Sequence, residues 1–67
     1  MKPEERLEMT RRQVAETEAA VERQVAIVEE LQKRGENAEG AIKLLALLRS
    51  TLTSYRAALA EIESENS

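Results

Sequence analysis

The segment Arg34-Gly35-Glu36-Asn37 constrains this chain most, because it sets a helix stop and a helix start within four residues. Lys33 and Arg34 suit the negative end of a helix dipole, and Gly35 suits the left-handed position that follows a helix. Asn37 can cap a second helix by accepting a hydrogen bond from a free backbone amide, with Glu39 adding favourable charge in the first turn. A connection of about three residues, 35–37, forces the flanking helices to lie antiparallel and adjacent.

Upstream, Pro3 opens a helix over about 3–34, since its missing N–H costs nothing in a first turn and Glu4 and Glu5 complement the dipole. No Gly or Pro interrupts it before Gly35. Leu7, Val14, Val21 and Val28 recur every seven residues, the spacing that keeps one stripe toward a partner helix. The positions completing that stripe are Thr10, Thr17, Gln24 and Leu31, so the first seam is mixed. Downstream, Ala38, Ala41, Leu45, Leu48, Leu52, Tyr55, Leu59 and Ile62 alternate in steps of three and four, an apolar seam along a helix over about 38–63. The polar tail 64–67 is expected to fray. Folding the chain at Glu36 brings Val28 near Leu45, Val21 near Leu52, Val14 near Leu59 and Thr17 near Tyr55. The expected fold is all-α: an antiparallel two-helix hairpin formed by residues 1–67 as one domain.

Val25, Ile27, Ile42, Leu44 and Leu47 stand off the two seams. A chain of 67 residues buries little surface by itself, and chains this short usually need a disulfide, a metal or self-association. Cys and His are both absent, which excludes a disulfide framework and the commonest zinc sites. Self-association is left. The five off-seam residues are therefore the expected contact surface of a homodimer, two hairpins making a four-helix bundle. The polar seam residues Thr10, Thr17 and Gln24 are read as fixing register or as lying at the wet edge of that core, with Tyr55 able to donate a hydrogen bond near Thr17.

Charge narrows the remaining functions. The net charge is -3, with seven basic and eight acidic residues in 1–34 and three basic and five acidic in 35–67. Neither half is a basic block, and Tyr55 is the sole aromatic, which argues against a nucleic-acid surface. The acidic balance also argues against a membrane-surface helix. No apolar run reaches the roughly 18–20 residues that span a bilayer, and the first residues carry no apolar leader, so a cytoplasmic location is expected. Ser50, Thr51, Thr53 and Ser54 cluster, but no feature of the sequence holds Lys33 or Lys43 beside a serine, and no Gly-rich turn offers an oxyanion hole. The glutamates read as a solvated face braced by Glu8–Arg12, Glu29–Lys33 and Glu30–Arg34 pairs. No catalytic, cofactor or metal residue is expected.

The Gln/Val/Glu-rich stretch Arg23-Gln24-Val25-Ala26-Ile27-Val28-Glu29-Glu30-Leu31, the Gly-containing turn, and the Ala/Leu stretch Ala41-Ile42-Lys43-Leu44-Leu45-Ala46-Leu47-Leu48 followed by Leu52-Thr53-Ser54-Tyr55-Arg56 resemble short bacterial coiled-coil-like hairpin proteins of no assigned activity. The resemblance implies the same hairpin fold and transfers no functional residue. The expected function is a non-enzymatic, self-associating module that acts as a small protein-binding regulator or adaptor. The alternatives are a structural spacer without a client, or a nucleic-acid-associated regulator if dimerisation aligns Arg11, Arg12 and Arg23.

Overall fold

The computed structural model describes residues 2–66. It contains two helices, α1 (Pro3–Lys33) and α2 (Glu39–Asn66), packed against each other. The hairpin is a rod of 49 × 17 × 14 Å with a radius of gyration of 15.3 Å, against roughly 11 Å for a compact domain of this length.

The turn closes through backbone chemistry. The Glu36 amide donates to the Leu31 carbonyl at 2.9 Å and the Gly35 amide to the Gln32 carbonyl at 3.1 Å. Together they form a Schellman motif, which satisfies two carbonyls that the end of α1 would otherwise leave open. The motif needs a left-handed residue after Arg34, and Gly35 supplies it with φ of 73°. Asn37 Oδ1 then accepts from the Glu39 amide at 3.0 Å, an Asx turn one residue ahead of Ala38, whose carbonyl accepts the first bond of α2 from Ile42.

Every buried residue lies on the two seams. Thr10, Val14, Thr17, Gln24 and Val28 are buried on α1; Ala38, Leu45, Leu52 and Ile62 are buried on α2. Leu7, Val21, Leu31, Ala41, Leu48, Tyr55 and Leu59 are half-buried. No described side chain is completely enclosed, as expected where each helix has one neighbour.

α2 continues to Asn66, beyond the end expected at 63; Ser67 lies outside the described residues. The tail reads as polar, but Ile62 is the most buried apolar residue of the hairpin at 4% exposure and anchors this end. Glu63 and Glu65 sit unfavourably at the negative end of the α2 dipole. Arginines from α1 offset them: Arg11 Nη2 lies 3.3 Å from Glu63 Oε2, and Arg6 Nη1 3.9 Å from Glu65 Oε2.

Candidate self-association face

The seam's polar residues separate into two kinds. Thr10 Oγ1 donates to the Arg6 carbonyl at 2.8 Å, and Thr17 Oγ1 to the Gln13 carbonyl at 2.7 Å. Both hydroxyls are thus satisfied within α1, and each threonine offers the seam chiefly its methyl group. Gln24 differs. Its Nε2 donates across the seam to the Ala41 carbonyl at 3.0 Å, a buried bond between the helices that a slipped register would break. Of the three, Gln24 bonds across the seam, whereas the two threonines are satisfied within α1. The Tyr55 hydroxyl donates no hydrogen bond to the Thr17 layer: Thr17 is engaged with Gln13, and Tyr55 has no protein partner among the described residues.

The long edges of the hairpin differ in chemistry. One edge is built at seven-residue spacing from Arg11, Glu18, Val25 and Gln32 on α1 and from Ile42, Arg49, Arg56 and Glu63 on α2. It is crossed by Arg11–Glu63 at 3.3 Å and by Arg56 Nη2–Glu18 Oε2 at 2.7 Å. These two pairs lie one residue from the expected register of Val14 with Leu59 and Val21 with Leu52, but the buried Gln24 bond does not follow it. That register sets Gln24 opposite Arg49, whereas its side chain reaches the Ala41 carbonyl, two helical turns nearer the tip.

The opposite edge begins at the open end with Arg6 and Glu65. Seven-residue steps from Arg6 reach Gln13, Ala20 and Ile27; the same steps back from Glu65 reach Ala58, Thr51 and Leu44. Between that first pair and Arg34 at the tip, this edge carries no charge. Gln13, Ala20, Thr51 and Ala58 are half-buried, and Ile27 and Leu44 are 48% and 45% exposed. Leu47 and Met9 lie one helical step further out on the same side, each three residues on from an edge position (Leu44 and Arg6). Leu47 is the most exposed large apolar residue among the described residues, at 63%.

This geometry divides the five residues read from sequence as one contact surface. Ile27, Leu44 and Leu47 share the edge that starts at Arg6 and Glu65, whereas Val25, half-buried, and Ile42 fall on the edge crossed by Arg11–Glu63 and Arg56–Glu18. Met9, passed over in the sequence, joins the first group. Its signal was the three-residue step from Arg6, a row off the seam that seam-reading skips. Of the five exposed large hydrophobics, Met9, Ile27, Leu44 and Leu47 share one face, and Ile42 stands on the other edge.

In the hydroxyl cluster, both threonines bond the backbone of their own helix. Thr51 Oγ1 donates to the Leu47 carbonyl and Thr53 Oγ1 to the Arg49 carbonyl, each at 3.0 Å, and Lys43 Nζ is 3.4 Å from Glu39 Oε1. Among the described residues no pocket opens, and no group of three or more acidic side chains is placed to hold a metal. No helix among them is long and apolar enough to cross a membrane. Of the three expected helical ion pairs, Glu30–Arg34 forms at 3.0 Å; Glu8–Arg12 and Glu29–Lys33 do not. The cross-helix pairs Arg11–Glu63, Arg56–Glu18 and Arg6–Glu65 depend on register and were not anticipated.

The fold and its faces define an antiparallel two-helix hairpin, one side of which gathers Met9, Ile27, Leu44 and Leu47. No family model, no curated protein and no solved structure matches the chain.

Proposed function

We propose that this chain is a non-enzymatic helical-hairpin module that self-associates into a four-helix bundle and serves as a small regulator or adaptor for a protein client. The observation that carries the reading is the face bearing Met9, Ile27, Leu44 and Leu47, four large apolar side chains between 44% and 63% exposed on one side. Exposed apolar residues scattered singly are ordinary, but Ile27, Leu44 and Leu47 gather near the tip of so small a chain, with Met9 further along the same face, and such a group marks a contact surface. The total surface supports the same reading. A compact chain of 7.5 kDa exposes roughly 4,250 Å², whereas this one exposes 5053 Å². The excess, about 800 Å², is close to one partner's share of a standard protein interface.

The nucleic-acid alternative draws no support from the charges. Arg11, one of the three arginines it would align, is held by Glu63, and Arg6, Arg34 and Arg56 also lie beside carboxylates. A cytoplasmic location is part of this proposal, and fractionation of the source cells tests it. Self-association is tested by sedimentation of the wild type, of Leu47→Glu and of Ala46→Glu, an exposed position away from the face. The reading expects a dimer for the wild type and Ala46→Glu, and a marked shift to monomer for Leu47→Glu. Equal behaviour of all three would overturn it.

A further inference from the structure

The face that gathers the exposed apolar residues also carries a charge pattern that distinguishes two ways of pairing hairpins. Its α1 half bears Arg6, Glu16, Arg23, Glu30 and Arg34; its α2 half is charged only at the open end, by Glu61 and Glu65. Two copies stacked on this face by a twofold axis have two choices. With tips at the same end, α1 of each copy lies over α2 of the other, and residues at equal distance from the turn meet. With tips at opposite ends, α1 lies over α1 and α2 over α2.

We propose that the hairpins pair through this face with both tips at the same end, α1 against the partner's α2; the proposal rests on the self-association reading above. Three features favour it. First, Ile27 and Leu44 lie equally far from the turn, with Leu47 just beyond, so the arrangement gathers these residues from both copies into one apolar cluster near the tip. The opposite arrangement sets Leu44 level with Ala58 and Leu47 level with Ser54, which divides the cluster. Second, the charges agree. With tips together, Arg6 meets the Glu61 and Glu65 end of the partner, while Glu16, Arg23 and Glu30 come level with Ser54, Leu47 and Gly40, none of them charged. With tips apart, Arg6 comes level with the Glu30–Arg34 pair, whose charges already balance at 3.0 Å, so that end gains no net attraction. That arrangement gains two Glu16–Arg23 pairs, but solvent-exposed pairs of this kind contribute little. Third, Gly40 has nothing within 4 Å of where a side chain would begin, which leaves room for the partner's α1 beside the start of α2.

The chain has no cysteine, so a single introduced thiol reports on the arrangement without competing sites. Glu36→Cys, at an exposed turn position, is labelled with a nitroxide, and the distance between labels in the full-length dimer is read by pulsed electron resonance. A second label at Glu4→Cys, exposed at the open end, repeats the measurement should the first label disturb the turn. The expected result for each label is a distance below half of the 49 Å hairpin length. A distance above half that length at both labels overturns the arrangement and leaves self-association standing. A monomer in sedimentation at the labelling concentration overturns both.

Discussion

Replacing Gln24 probes the one hydrogen bond in the seam that joins the helices. Gln24→Ala removes the Nε2 bond to the Ala41 carbonyl, worth about 1 kcal/mol net, and a buried methylene worth about 0.8 kcal/mol. The higher helix propensity of Ala returns a few tenths of a kcal/mol. The balance is a loss of about 1.5 kcal/mol. For a chain of this size that lowers the melting temperature by roughly 6–12 °C. Gln24→Leu should behave differently. It removes the same bond but refills the seam with apolar volume, and the Ala41 carbonyl keeps the bond of its own helix, so no buried acceptor is stranded. Its melting temperature should equal or exceed that of the wild type, while the loss of the register device broadens its amide NMR spectrum through exchange between slipped pairings. Melts followed by circular dichroism, at one matched protein concentration because assembly itself adds stability, read both variants. A Gln24→Ala melting temperature equal to the wild type, or a Gln24→Leu loss as large as that of Gln24→Ala, would refute this reasoning.

The other predictions separate the two edges and test the turn. Leu44→Glu should weaken the dimer by about 100-fold, the equivalent of about 1.4 kcal/mol from each copy of a symmetric interface. Ile42→Glu should change the dimer constant by less than about threefold, because Ile42 stands on the edge crossed by Arg11–Glu63 and Arg56–Glu18; analytical ultracentrifugation compares the two. Gly35→Ala should cost about 1–2 kcal/mol in urea unfolding from the left-handed backbone alone, since nothing lies within 4 Å of the added carbon. Glu18→Ala and Arg56→Ala, taken through a double-mutant cycle, should show coupling no larger than about 1 kcal/mol despite the 2.7 Å separation, because both side chains are about half exposed.

The legible parts of the fold were those set by local chemistry and by a period. Gly35 and Asn37 announce a helix end and a helix start by residue type, and the seven-residue rows of each helix identify which side chains turn inward. The extension of α2 to Asn66 was hidden because its supports, Ile62 packed into the seam and Arg6 and Arg11 facing Glu65 and Glu63, exist only once the helices are paired. The roles of Thr10 and Thr17 were hidden for a different reason. A threonine hydroxyl in a helix can bond its own backbone or reach across, and spacing does not distinguish the two. Val25 and Ile42 were grouped with Ile27, Leu44 and Leu47 because all five are near the turn in sequence. The seven-residue rows through Arg11 and Glu18 and through Arg56 and Glu63 place Val25 and Ile42 on the other edge, and the ion pairs between those rows show it.

The central claim is that the apolar face is covered by a second copy, and sedimentation equilibrium of the wild-type chain over a concentration series tests it most directly. The account predicts a species of twice 7.5 kDa at tens of micromolar that dissociates on dilution and retains helical circular dichroism while dimeric. A fully helical species of 7.5 kDa throughout the series would contradict it.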